Sequence, residues 1–104
     1  TIFPGCYPGR YPHIHFEVFS SLSNAIGGRY ARLISQFAMP ATQCAQVYAT
    51  SDYSGSRTPY NSSSLSSDNV FGDNSTAQMA VMTLTMSGDT SAGFTASATI
   101  GIAT

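Results

Sequence analysis

The sequence predicts a mostly-β domain, an antiparallel β-sandwich with one short helix and long loops, covering residues 1–104 as a single unit. Three observations lead there. Polar and apolar residues alternate from His13 to Phe19, from Met79 to Met86 and from Phe94 to Ile102, the period of half-buried strands. Pro-Gly and Gly-Gly pairs punctuate the chain between such segments. Only one stretch, behind Pro40, reads as helical.

In chain order, Thr1 to Phe3 reads as the end of a strand, and Pro4-Gly5 and Pro8-Gly9 predict two turns, because proline fixes φ and glycine permits positive φ. The strand from His13 to Phe19 sends His13, His15 and Glu17 to one face and Ile14, Phe16 and Val18 to the other. It runs into a polar loop ending at Gly27-Gly28. A second strand is expected over Tyr30 to Phe37, with Leu33, Ser35 and Phe37 on one face and Arg32, Ile34 and Gln36 on the other. Pro40 suits the first turn of a short helix reaching about Val47 or Tyr48. Thr50 to Asn69, rich in Ser, Gly, Asp, Asn, Tyr and Pro, reads as a long surface loop. The strands Met79–Met86 and Phe94–Ile102 are expected to pair as a hairpin through a turn that begins at Ser87-Gly88-Asp89 and runs to Gly93.

A chain of 104 residues can bury a modest two-layer core. Only 9% of residues are charged and the formal net charge is -1, so nothing marks a nucleic-acid footprint or attachment to an anionic membrane. No apolar run approaches the roughly 20 residues that span a bilayer. Low charge with abundant Ser and Thr points to an exported protein: secreted, periplasmic or anchored as a lipoprotein. The chain opens at Thr1 within a strand-like segment, so a further N-terminal part is expected. Asn61-Ser62-Ser63 and Asn74-Ser75-Thr76 fit the glycosylation acceptor pattern, as do many sequences that are never modified. The two cysteines, Cys6 and Cys44, are either buried free thiols or a disulfide. The exported composition favours the disulfide. A cross-link over such a loop would stabilise the fold by about 4 kcal/mol.

The chemistry concentrates between Tyr7 and Phe19. Two imidazoles at i and i+2 on a strand stand roughly 7 Å apart at the backbone, close enough for both rings to converge on one ion. Tyr7, in the Pro/Gly turn just upstream, can fold back onto the same point. Each residue also has a plainer reading. His-x-His occurs in strands where the rings only hydrogen-bond, buried tyrosines usually pack, Arg10 could be a surface cation and Gln36 a strand filler. A zinc hydrolase using His13 and His15 with Glu17 ranks low, because Glu17 is the next residue on that face of the same strand and badly placed to reach a metal-bound water.

Taken together, Thr1-Ile2-Phe3-Pro4-Gly5-Cys6-Tyr7, Gly9-Arg10 and His13-Ile14-His15-Phe16 resemble the intradiol ring-cleavage dioxygenases. So do Ser35-Gln36, Val47-Tyr48-Ala49-Thr50, Asp68-Asn69-Val70-Phe71 and Gly93-Phe94-Thr95-Ala96, in the same order along the chain. The likeness is nearest to the short exported branch of that family and to its C-terminal part. It implies a β-sandwich of the family's type and a non-haem Fe(III) enzyme that opens catechol-type rings with O₂. Tyr7, His13 and His15 would be iron ligands, with Tyr7 leaving the iron as substrate binds, while Arg10 and Gln36 would stand beside the substrate. The family's second tyrosinate has no counterpart in this chain. Phenolate is a hard anionic donor that favours ferric iron, which agrees with the ligand set. The rival expectation is a non-catalytic exported β-domain of the same fold, used for binding or for extracellular assembly through strand edges, with no chemistry at Tyr7 and His15.

Overall fold

The computed structural model describes residues 2–102. Among these described residues there are four strands in two two-stranded antiparallel sheets, together with three α-helices. This mixed α/β arrangement corrects the expected mostly-β sandwich, since the strands form only two two-stranded sheets and helices take up segments expected to be strand or loop.

The first sheet pairs β1 (His13–Val18) with β2 (Leu33–Ala38). In its register His13 lies opposite Ala38, His15 opposite Gln36 and Glu17 opposite Ile34, so both histidines share a face with Gln36, as the alternation required. The other face carries Ile14, Phe16, Val18 and Phe37, and the Phe16 and Phe37 rings stack at 4.2 Å. Between these strands, short 3₁₀ turns at Leu22–Asn24 and Gly28–Tyr30 shape the polar loop. Tyr30 belongs to the second turn rather than to the strand.

Helix α1 (Ala41–Tyr48) starts behind Pro40, whose extended ψ of 138° places it at the N-cap. It buries Cys44, Val47 and Tyr48. Arg57 closes its far end by donating to the carbonyls of Tyr48, Ala49 and Thr50, which satisfies orphan acceptors and sets a cation at the negative end of the helix dipole. The stretch expected to be a long loop instead folds into a 3₁₀ segment, Ser51–Ser56, followed by α2 (Arg57–Asn61).

Helix α3 (Thr76–Met82) takes the first half of the segment expected to be a strand, Met79 to Met86. A capping box decides the outcome. Ser75 Oγ accepts from the Gln78 amide at 3.1 Å, and Gln78 Oε1 accepts from the Ser75 amide at 2.8 Å. Met79 and Met82 are half-buried while Ala80 and Val81 are exposed, so burial follows an i, i+3 spacing and not alternation. Strand β3 (Thr85–Asp89) then pairs with β4 (Gly93–Ser97) in the expected hairpin, shorter than anticipated because residues beyond Ser97 leave the ladder. Ile2 and Phe3 lie outside any strand, and the start of that expected strand, Thr1, falls outside the described residues.

The core forms two adjoining clusters. One gathers Cys6, Met39, Cys44, Val47 and Tyr48; the other gathers Tyr11, Ala38 and Phe71. Tyrosine hydroxyls tie the N-terminal segment over this core: Tyr48 Oη donates to the Pro4 carbonyl at 2.7 Å and Tyr53 Oη to the Phe3 carbonyl at 2.8 Å. The Cys6 amide donates to Ser56 Oγ at 3.0 Å. The disulfide expectation is also corrected: Cys6 and Cys44 are both free, buried thiols in one cluster. Burial, joined by the proximity of Cys6, pushes the Cys44 thiol up to about 12, and burial raises Cys6 as well. Among the described residues no helix is long and apolar enough to cross a membrane.

Candidate metal centre

The turn after Tyr7 is built by Pro8 and Gly9, with Gly9 at φ 97°, the left-handed conformation that a type II turn asks of its third residue. This turn folds the chain back on itself, so Tyr7 meets the first residue of β1. Tyr7 Oη and His13 Nε2 are 3.4 Å apart, and the two rings meet edge to face at 5.9 Å. The His15 ring lies 5.0 Å from the His13 ring. Tyr7, His13 and His15 all line one groove of about 270 Å³, whose lining also includes Arg10 and Pro12.

His13 is oriented from behind. Its Nδ1 lies 2.7 Å from the Tyr11 carbonyl, which can only accept, so Nδ1 carries the proton and Nε2 presents its lone pair to the groove. Burial holds the His13 pKa below its ordinary value; the Tyr11 carbonyl acts in the opposite sense, while Arg10 and His15 lower it further. The neutral ring is the form that binds a metal ion.

Arg10 stands beside this lone pair, with Nη1 3.4 Å from His13 Nε2. Its Nε donates to Asp68 Oδ2 at 2.9 Å and its Nη2 to Gln36 Oε1 at 2.6 Å. Asp68, which sequence reasoning did not single out, anchors the arrangement. Its side chain is fully buried. Oδ2 also accepts from the Tyr11 amide at 2.7 Å, and Oδ1 accepts from the amides of Val70 at 2.8 Å and Phe71 at 3.0 Å. Burial alone would raise this carboxyl, but Arg10 and the three amides outweigh it and bring the pKa down to about 2. The Asp68-Asn69-Val70-Phe71 stretch carries the local part of the signal, an Asp whose side chain caps the amides two and three residues on. The link to Arg10, across 58 positions, leaves no local trace.

Gln36 reaches the site through Arg10, and Glu17 lies toward Gly28 at the other end of the strand, away from Tyr7. The zinc-hydrolase arrangement is therefore not assembled. Among the described residues no three His, Cys, Asp or Glu side chains gather around one point. Any metal at this groove depends on the phenol of Tyr7 as third donor.

The donor types would suit such an ion. Two donors each about 2.1 Å from one ion, at an angle in the tetrahedral range, stand about 3.4 Å apart. Tyr7 Oη and His13 Nε2, in hydrogen-bond contact with each other, have that same spacing. Two imidazoles on one ion at about a right angle place their ring centres between 4 and 5 Å apart, roughly as His13 and His15 do. The mixture of one phenol oxygen and two imidazole nitrogens suits a ferric or other small, hard-to-borderline cation.

No protein-family model, curated protein or solved structure matches this chain.

Proposed function

We propose that this chain is an extracytoplasmic intradiol-type dioxygenase, or the catalytic part of one, using Fe(III) and O₂ to open catechol-type rings. The observation that supports it most is the meeting of Tyr7 Oη with His13 Nε2 at 3.4 Å, beside His15 and a fixed guanidinium. The iron, when bound, supplies the electron withdrawal that makes a catechol ring open to oxygen.

The chain's own residues have separable tasks. Tyr7 is 53% exposed, so its ring can swing away from His13 without disturbing the core, and as the tyrosinate that iron would hold, its Oη would take a proton from an entering catechol hydroxyl. His13 cannot turn, because the Tyr11 carbonyl holds Nδ1. Arg10, braced by Asp68 and Gln36, holds positive charge where a catechol oxygen would become negative. Since those bonds exist before any substrate arrives, the charge needs little reorganisation during reaction. The test is oxygen consumption by the iron-loaded protein with catechol, with a ring-opened product that has gained two oxygen atoms. A loaded protein that consumes no oxygen with any catechol overturns the reading.

A second reading, a non-catalytic domain that assembles through its sheets, draws on one feature. Among the described residues each sheet has only two strands, which leaves open edges save at the end of β2, where Ala38 bridges to Thr83. Concentration-dependent assembly that is unchanged in Tyr7→Phe and His15→Ala, without turnover, would favour it.

A further inference from the structure

Behind Arg10 lies a second groove, larger than the one at Tyr7. Its volume is about 410 Å³, within the range of about 300–1,000 Å³ common for small-molecule sites. Arg10 and Tyr11 line both grooves, so the two share a wall. The rest of the lining is unlike the metal groove. The rings of Pro8 and Pro59 supply apolar patches, and Thr58, Ser62, Ser64 and Ser67 supply hydroxyls.

The charge balance of this groove is informative. Its two charged residues, Arg10 and Asp68, are bonded to one another at 2.9 Å. A charged ligand in this groove thus meets an ion pair made through Nε, whereas Nη1 of the same guanidinium faces His13 in the other groove. The hydroxyls differ in availability. Ser64 and Ser67 bond to each other at 2.8 Å, and Ser63 donates to the Tyr60 carbonyl. The Thr58 and Ser62 side chains hydrogen-bond to no described residue, and both residues are exposed. Apolar C–H faces combined with edge hydroxyls match a neutral polyol or sugar ring, which presents C–H on its faces and O–H around its edge.

We propose that this groove is a subsite for a neutral, hydroxyl-rich substituent, so that the preferred substrate is a catechol bearing a glycosyl or similar polyol group on its side chain. The proposal rests on the reading of Tyr7, His13 and His15 as the catechol site. The aromatic ring would sit by Tyr7 and the substituent would cross Arg10 into the groove, with Thr58 and Ser62 as its hydrogen-bonding partners.

The test measures dissociation constants by calorimetry on the iron-loaded full chain. The probes are 4-ethylcatechol, its terminal β-glucoside (2-(3,4-dihydroxyphenyl)ethyl β-glucoside), 3,4-dihydroxyphenylacetate, and 2-phenylethyl β-glucoside. The glucoside of the catechol should bind about tenfold more tightly than 4-ethylcatechol, the gain expected for one or two net hydrogen bonds. The acidic probe should gain nothing. Ser62→Phe, which fills the groove from an exposed helix end, should abolish the tenfold gain while leaving 4-ethylcatechol unchanged. Thr58→Val, which keeps shape and removes the hydroxyl, should reduce it severalfold. Equal affinity for 4-ethylcatechol and its glucoside, a preference for the acidic probe, or a gain insensitive to both substitutions overturns the subsite. If no catechol binds, the proposed function fails separately; 2-phenylethyl β-glucoside, which lacks the ring hydroxyls, then decides the groove. Its binding with the same sensitivity to Ser62→Phe supports the groove, and its failure to bind overturns it.

Discussion

Replacing Asp68 by Asn tests how the arginine beside the candidate site is held. The substitution keeps the side chain's shape and one acceptor oxygen, which can still serve the amides of Val70 and Phe71. The other position becomes an NH₂ group facing two donors, Arg10 Nε and the Tyr11 amide. Both donors lose their acceptor in a place where the Asp68 side chain is fully buried. The wild-type carboxyl has a pKa of about 2 against an unfolded value of 3.8. That difference corresponds to about 2.5 kcal/mol of stability. Adding the mismatched donors, and allowing for the bonds that Asn retains, gives a loss of about 3 kcal/mol at neutral pH. For a domain of this size the melting temperature should fall by about 15 °C. The pH dependence supplies an independent check. Because folding depresses this pKa, its stabilisation is fully present above about pH 4 and disappears as pH falls through about 2. Urea unfolding followed by circular dichroism from neutral pH to about pH 2 should show that acid limb in the wild type and lose much of it in Asp68→Asn. A loss below about 1 kcal/mol at neutral pH, or an unchanged acid limb, would refute the reasoning.

Three further substitutions and titrations follow from the same structure. Tyr7→Phe should leave stability within about 0.5 kcal/mol, because the side chain is exposed, while removing ferric iron binding; urea unfolding and metal analysis check the two halves. Gly88→Ala should cost about 2 kcal/mol or more, since φ is 118° there and a Cβ would run into the Gly93 carbonyl oxygen; thermal melting measures it. Without reductant, a thiol reagent should react slowly with the native protein and titrate two thiols after unfolding in guanidinium, whereas none would mean that Cys6 and Cys44 are bonded after all.

The hairpin carrying the histidines was legible because its alternation is confirmed from both sides: His15 and Gln36 share a face whichever strand is read first. The helix behind Pro40 was legible from a single residue with few conformations. The segment around Met79 was misread because a short run of Met, Ala, Val and Thr satisfies both periods, and Ser75-x-x-Gln78, the feature that decides between them, lies just outside the run. That single misreading, with the unrecognised turns of helix at Ser51–Asn61, turned a mixed fold into an expected sandwich. At the candidate site Tyr7, His13 and His15 are close in sequence, so their proximity was readable, while Asp68 depended on a contact that only the folded chain creates.

The most direct measurement is resonance Raman of the protein titrated with Fe(III), wild type beside Tyr7→Phe. If the phenol of Tyr7 and the rings of His13 and His15 hold one ion, the wild type takes one iron per chain and shows tyrosinate vibrations that vanish in the variant. A wild-type protein without those vibrations, or a variant that keeps them, contradicts the shared centre.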